Sequence, residues 1–110
     1  MASTWRWVCA EQDITEGDSK GFELDDTALF VIRRAARFFV FVNQCPHLGI
    51  RLEWLPDQFL DVDGYFIQCS SHGALFQVED GMCIAGPCAG QPLTAIEYDV
   101  KDGQLLVLLD

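Results

Sequence analysis

The apolar residues of this chain occur in short runs separated by polar turns, and none of the runs shows a convincing helical period. The alternation at 5–10 predicts a first strand, and the β-rich runs 28–32 and 38–42, on either side of 33–37, predict a hairpin. Segment 11–26 contains seven acidic residues, so we expect it to be a solvated excursion. The first half of the chain is therefore predicted to be β-structure.

The second half of the chain repeats the hairpin pattern three times. Asp63-Gly64 supplies the residues that a type I′ turn prefers, and 79–81 and 101–103 end in glycine in the same way. The paired arms are predicted at 59–62 with 65–68, 75–78 with 82–84, and 95–100 with 104–109. Short antiparallel strands throughout indicate an all-β fold, either a small sandwich or a barrel. We expect Trp5, Trp7, Trp54 and the phenylalanines at 38–41 to lie in its core.

Length and charge limit the possible functions. The 110 residues fit a single domain, 1–110. A net charge of −10 argues against a nucleic-acid or anionic membrane partner, because phosphate binding needs a concentrated basic face. No apolar stretch approaches the roughly 20 residues of a membrane span. The first residues lack the pattern of a signal peptide, so we expect a cytoplasmic protein, and we take it to be a monomer.

Two short segments each pair one cysteine with one histidine, as Cys45-Pro46-His47 and Cys69-Ser70-Ser71-His72. Two thiolates and two imidazoles can hold a tetrahedral zinc ion or an iron–sulfur cluster with mixed ligands. Structural zinc sites usually take two like ligands from each loop, whereas here each loop offers one of each kind. The arrangement suits a two-iron cluster better, and a zinc-stabilised interaction module remains an alternative.

The two loops resemble those of the Rieske [2Fe–2S] family, and the likeness continues through Gly81, Cys83, 86–88 and Leu93 over nearly the whole chain. The resemblance implies three stacked antiparallel sheets in a β-sandwich, with a small cluster-binding subdomain at about 41–93. It also implies one [2Fe–2S] cluster and a division of its ligands between the two irons. Cys45 and Cys69 would bind one iron, and His47 and His72 the other.

Four positions suggest which kind of Rieske centre this is. High-potential members of the family carry an extra cysteine in each loop, and a disulfide joins the two; the resemblance places Ile50 and Ser71 at those positions. Those members also have hydroxyl donors to cluster sulfurs where this chain has Ala74 and Phe76. Hydrogen bonds to cluster sulfurs stabilise the added electron, so their loss lowers the potential. The resemblance therefore implies a low-potential centre without the disulfide.

The same resemblance implies a soluble Rieske-type ferredoxin that carries one electron from a reductase to an oxygenase or another redox acceptor. It would not be an enzyme by itself, because both histidines of the chain are already assigned to the cluster. A small electron-transfer subunit of a larger oxidoreductase is the alternative. Segments 43–50, 69–77 and 84–95 contain no charged residue, so the cluster end is expected to be a neutral docking face.

Three cysteines fall outside the predicted ligand set. Cys83 and Cys88 could form a disulfide or a redox-sensing pair, but we favour the interpretation that they are buried small side chains. Cys9, alone on a predicted strand, is expected in the core.

Overall fold

The computed structural model describes residues 4–24, 26–44, 46, 51–52, 57–61, 63–69, 73–86 and 89–109. These residues form β-strands and one short 3₁₀ turn at Glu11–Asp13, and none of their helices is long enough to cross a membrane. The strands are β1 (Thr4–Ala10), β2 (Ser19–Leu24), β3 (Thr27–Arg34), β4 (Arg37–Val42), β5 (Phe66–Gln68), β6 (Leu75–Gln77), β7 (Cys83–Ala85), β8 (Tyr98–Lys101) and β9 (Gln104–Leu109).

The strands are arranged in three antiparallel sheets of three strands each. The terminal sheet has the order β1-β9-β8, the central sheet β2-β3-β4 and the small sheet β5-β6-β7. The small sheet lies in the part of the chain that carries the two Cys/His loops. The all-β fold that the sequence pattern predicted and the three sheets that the resemblance implied are confirmed.

The central sheet is buried on both faces. Along β3, Leu29 and Val31 point to one side and Phe30 and Ile32 to the other, and all four are fully buried. This explains why the run is continuously apolar rather than alternating. The first pair packs with residues of the terminal sheet, and the second pair packs with the small sheet and the segment that leads to it.

Aromatic stacking and two side-chain bonds tie the connection between the Cys/His loops to the central sheet. The Phe59 ring stacks on Phe30 with centroids 4.5 Å apart. Ser19 Oγ donates to the Asp57 carbonyl over 2.8 Å, and Asp57 Oδ1 accepts from the Gly21 amide over 2.8 Å. The connection is therefore anchored before the chain enters β5.

Strand β2 contradicts the expectation that 11–26 is a solvated excursion. It pairs with β3 over Ser19–Leu24, with Gly21 opposite Phe30 and Glu23 opposite Ala28. Because β2 is at the edge of its sheet, it can contain acidic and polar residues, and these hid the strand pattern in the sequence. Backbone pairing with β3 holds it in place, while much of its side-chain surface remains partly exposed.

The two N-terminal tryptophans also differ from the prediction. Trp5 is 48 % exposed and Trp7 is 59 % exposed, so neither is a core residue. They lie opposite Leu108 and Leu106 in the register of β1 with β9, on the outer face of the terminal sheet. The alternating pattern predicted the strand correctly, but it did not distinguish the face that packs from the face that meets solvent. The prediction is correct for Phe38 and Phe41, which are buried, and Phe39 is partly buried against the core. Trp54 lies outside the described residues.

The predicted hairpins form, but two of their arms are shorter than predicted. The turn at Asp63-Gly64 is also not type I′, because Gly64 has a positive φ (+72°) and Asp63 does not. Asp102 and Gly103 have φ values of +52° and +75°, as a type I′ turn requires. In the hairpin at 59–68, the first arm is reduced to a single bridge between Leu60 and Ile67. The Asp61 carboxylate accepts hydrogen bonds from the amides of Tyr65 and Phe66, so a side chain takes donors that a longer ladder would use.

The turn between β3 and β4 depends on a carboxylate from a distant loop. Ala35 and Ala36 both have positive φ, at +54° and +61°, a region that alanine seldom adopts. Glu16 accepts hydrogen bonds from the Ala35 amide over 2.7 Å and from the Ala36 amide over 3.0 Å. These two bonds, the Ala36 bond foremost, lower the pKa of Glu16 below its ordinary value of 4.5.

This lowered pKa predicts a pH-dependent contribution to stability. The Glu16 contribution is complete above pH 4.5 and is lost as the pH falls through the lower pKa of the folded state. We expect Glu16→Gln to reduce the denaturant midpoint at pH 7, and the two proteins to converge well below pH 4.5. Urea unfolding followed by circular dichroism measures this difference. Glu97→Gln, at an exposed carboxylate directly before β8, is the control. A difference in denaturant midpoint for Glu16→Gln that persists at low pH would contradict the prediction.

Candidate metal centre

Cys69 is the one predicted ligand that lies within the described residues. It directly follows β5, and its amide donates to the Ala74 carbonyl over 2.8 Å. Its own carbonyl accepts from the Gly73 amide over 3.1 Å, with Gly73 at φ +67°. These two backbone bonds close the base of the second Cys/His loop, so the sheet holds both ends of that loop.

The surroundings of Cys69 suit a thiolate that is bound to metal. The residue is 1 % exposed and lies in an apolar core with Ala74, Phe76, Cys83 and Leu93. A free thiolate is poorly stabilised in such an environment, whereas a metal ion shares its charge. Sulfur is also a ligand preferred by iron–sulfur clusters and zinc. The described half of this loop is therefore chemically compatible with the predicted cluster.

The first Cys/His loop starts from a well-anchored point at the end of β4. The Val42 amide donates to the Thr94 carbonyl over 2.8 Å, and the Asn43 amide donates to the Ala28 carbonyl over 2.9 Å. Asn43 is buried, and its Oδ1 accepts from the Leu52 amide over 2.8 Å. Cys45 follows two residues after Asn43 in the chain. The sequence interpretation did not assign Asn43 a role, and its only signal was a polar residue between a buried strand and a predicted ligand.

A third segment, the uncharged stretch 84–95, folds back against the second Cys/His loop. Gly90 donates its amide to the Cys83 carbonyl over 2.9 Å, and the Cys83 amide donates to the Gln91 carbonyl over 3.1 Å. Gly86, at φ +100°, packs so closely on Ala74 that an added Cβ would lie 2.9 Å from the Ala74 Cα. The need for glycine at this position comes from that contact as well as from its backbone angle.

The remaining predicted ligands, Cys45, His47 and His72, lie outside the described residues, as do Ile50 and Ser71. Among the residues that are described, no three His, Cys, Asp or Glu side chains group together as a metal site. The complete ligand set therefore stays a prediction.

The two other described cysteines, Cys83 and Cys9, have environments typical of structural residues. The buried Cys83 thiol donates to the Ala85 carbonyl over 3.2 Å, which agrees with its assignment as a small core residue, while Cys88 lies outside the described part. Cys9 is buried between the terminal and central sheets, and this burial, followed by the nearby Asp13, raises the pKa of its thiol. A raised pKa disfavours the reactive thiolate.

Charged groups near the loops lie at their margins. Arg51 follows the first neutral segment and forms an exposed ion pair with Glu23 over 3.1 Å. Ala89, Gly90 and Gln91 of the third segment are uncharged and exposed. The described parts of the three neutral segments thus include exposed surface without charge, and the neutral docking face stays a prediction.

Comparison with known proteins agrees with this architecture. The chain matches the Rieske [2Fe–2S] domain over residues 4–105. It is 34 % identical over 108 residues to Ferredoxin CarAc of Metapseudomonas resinovorans, a match that covers 97 % of this chain and 95 % of that protein. It is 30 % identical over 101 residues to the ferredoxin component of the p-cumate 2,3-dioxygenase system of Pseudomonas putida, covering 91 % and 81 % of the two chains.

Solved structures show the same fold. A chain in the complex of reduced oxygenase and oxidized ferredoxin in carbazole 1,9a-dioxygenase is 31 % identical, with a TM-score of 0.75 and coverage of 94 % of this chain and 91 % of that one. The ferredoxin of carbazole 1,9a-dioxygenase from Nocardioides aromaticivorans IC177 shares the fold at 24 % identity, with a TM-score of 0.77 and coverage of 94 % and 96 %. On the family match and the identity to Ferredoxin CarAc, the chain belongs to the Rieske [2Fe–2S] domain family.

Proposed function

We propose that this chain is a Rieske-type ferredoxin that carries one electron at a time from a reductase to an oxygenase. The observation that carries the proposal is the nearly end-to-end match with a protein that is itself a ferredoxin, at 97 % of this chain and 95 % of the relative. A second relative is the ferredoxin component of a dioxygenase system. The role of an electron carrier, rather than a catalyst, follows from both relatives.

The number of histidines in the chain also supports an electron carrier. The chain has two histidines in total, and both are proposed to bind the cluster. A mononuclear oxygenase iron typically needs two further histidines and a carboxylate. No such set remains in this sequence, so oxygen chemistry would occur on the partner.

The proposed cofactor is one [2Fe–2S] cluster, with Cys45 and Cys69 on one iron and His47 and His72 on the other. When bound, the cluster supplies reversible one-electron redox chemistry. The protein's part is to hold the ligands and exclude water. The burial of Cys69 and the closed base of its loop support this role.

The charge distribution supports transient docking at the cluster end. The three neutral segments carry no charged side chain, while the whole chain has a net charge of −10. A partner with a basic rim would be steered by the surrounding acids and would then contact a neutral surface that costs little to desolvate. We further propose a cytoplasmic, monomeric protein with a single domain at 1–110 and its cluster-binding subdomain at about 41–93.

One observation favours the second candidate, an electron-transfer subunit of a larger oxidoreductase. Trp5 and Trp7 expose large apolar surface on the outer face of the terminal sheet, with the partly buried Leu106 and Leu108 between them and β8. Tryptophan is enriched at the centres of stable interfaces. Co-purification at a defined stoichiometry from the native source would favour the subunit, and a freely dissociating monomer would favour the carrier.

The cofactor and its ligands can be tested by replacing one buried cysteine at a time. We expect the purified protein to be red-brown and to contain about two irons and two sulfides per chain. Cys69→Ala should abolish the visible spectrum and the iron content. Cys9→Ala, at a cysteine buried in the other core, should keep both. A colourless protein with one zinc ion would contradict the proposal, and iron retained in Cys69→Ala would contradict the ligand assignment.

Ala74 and Phe76 predict a low reduction potential for the cluster. Neither side chain offers a hydroxyl donor to a cluster sulfur, so the reduced form gains no stabilisation from them. We expect a midpoint below zero, toward the low end of the roughly −150 to +300 mV range of Rieske centres. A redox titration monitored in the visible range measures it, and a midpoint well above zero would contradict the prediction.

Gly86 and Gly90 form a matched pair for testing how the third segment supports the second loop. Both have positive φ, at +100° and +91°, but only Gly86 has an atom within 4 Å of an added Cβ. Alanine at either position incurs about 1–2 kcal/mol of backbone strain. Gly86→Ala should lower the free energy of unfolding by about 1–3 kcal/mol more than Gly90→Ala, because the added Cβ collides with Ala74. Denaturant unfolding and iron retention measure both effects, and equal losses in the two variants would contradict the proposed contact.

A further inference from the structure

The side chain of Asn43 closes the base of the first Cys/His loop. Its Oδ1 accepts a hydrogen bond from the Leu52 amide over 2.8 Å, and both residues are buried. Asn43 and Leu52 lie on either side of segment 44–51, which contains Cys45 and His47. This one bond therefore joins the two ends of the segment that carries two proposed ligands.

Both partners of this bond are anchored in the core. The backbone amide of Asn43 donates to the Ala28 carbonyl over 2.9 Å, which attaches the residue to the start of β3. Leu52 is fully buried in the same apolar core as Cys69. The bond thus holds the base of the first loop at a defined position relative to the part of the core that contains the ligand of the second loop.

An amide side chain suits this position better than other residues. It offers an oxygen acceptor without adding a charge to a segment that has none. A residue without a hydrogen-bond acceptor would leave the buried Leu52 amide without this partner. That loss would lower the free energy of unfolding. The short Asn side chain also hydrogen-bonds readily to backbone groups nearby in the chain.

We propose that Asn43 is a positioning residue for the cluster, because its side chain sets the geometry of the loop that carries Cys45 and His47. This inference rests on the proposed ligand roles of those two residues. Asn43 acts through the loop backbone. Losing its hydrogen bond should therefore alter the environment of the histidine-bound iron before it unfolds the domain.

Three variants of the cluster-loaded protein test the proposal. Asn43→Ala removes the acceptor, Asn43→Asp keeps an oxygen at the same place, and Ser19→Ala is the control. Ser19 is a buried polar residue of the same sheet, but it bonds to the Asp57 carbonyl and the Phe59 amide, which lie outside the first loop. Ser19→Ala should therefore lower stability without reaching the ligands.

The decisive measurements are the electron paramagnetic resonance spectrum of the reduced protein, the rate of iron loss, and hydrogen exchange at Leu52. We expect Asn43→Ala to shift the resonance spectrum, to lose iron roughly tenfold faster, and to exchange the Leu52 amide faster by a similar factor. Asn43→Asp should restore most of the Leu52 protection. Ser19→Ala should leave the spectrum and the Leu52 protection unchanged.

The outcomes separate this inference from the proposed function. A wild-type protein without a two-iron spectrum would overturn both. A normal wild-type spectrum, with Asn43→Ala behaving like Ser19→Ala, would overturn the positioning role alone. If Asn43→Ala does not fold, Asn43→Asp decides the question, since fast Leu52 exchange in that variant would show that an oxygen acceptor at this position does not close the loop.

Discussion

Burial of the central sheet on both faces is the constraint on which the rest of this structure depends. Successive residues of β3 point alternately into two different cores, with Val31 on one side and Phe30 on the other. The terminal sheet covers the first face, and the small sheet with its connecting segment covers the second. A sheet covered in this way can lose neither neighbour without exposing a row of apolar side chains.

The second face supports the segments that carry the proposed ligands. Phe59, Leu52 and Cys69 share its core, and they belong to the connection between the loops, the end of the first loop and the start of the second loop. Packing on one rigid sheet therefore brings two segments that are distant in sequence into one structural unit. A metal centre assembled from two loops needs such support, because small errors in ligand position weaken binding.

The sequence predicted those features that depend on local pattern. The β3–β4 hairpin, the turn at Asp102 and Gly103, and the placement of Cys69 after a strand all follow from runs of residue types and turn chemistry. Features that depend on distant partners were missed. Strand β2 forms because its backbone pairs with β3, and the exposure of Trp7 depends on which face of the terminal sheet meets another sheet.

The candidate site also has some features that the sequence predicted and others that it missed. The spacing of cysteine and histidine indicated the chemistry, and the resemblance indicated the ligand set. The bond from Asn43 to Leu52 and the contact of Gly86 with Ala74 could not be predicted, since each joins residues through the folded backbone. Residue type alone gives no measure of how close two loops approach.

The two Cys/His loops are held by different physical means. Backbone hydrogen bonds and the close packing of Gly86 hold the second loop, so it depends on steric fit. At the base of the first loop, the Leu52 amide donates to the side chain of Asn43, so that closure involves a polar side chain. The bond is stronger for being buried, because water does not compete for the Leu52 amide. Burial thus lets a hydrogen bond between uncharged groups join the two described ends of this segment, at Asn43 and Leu52.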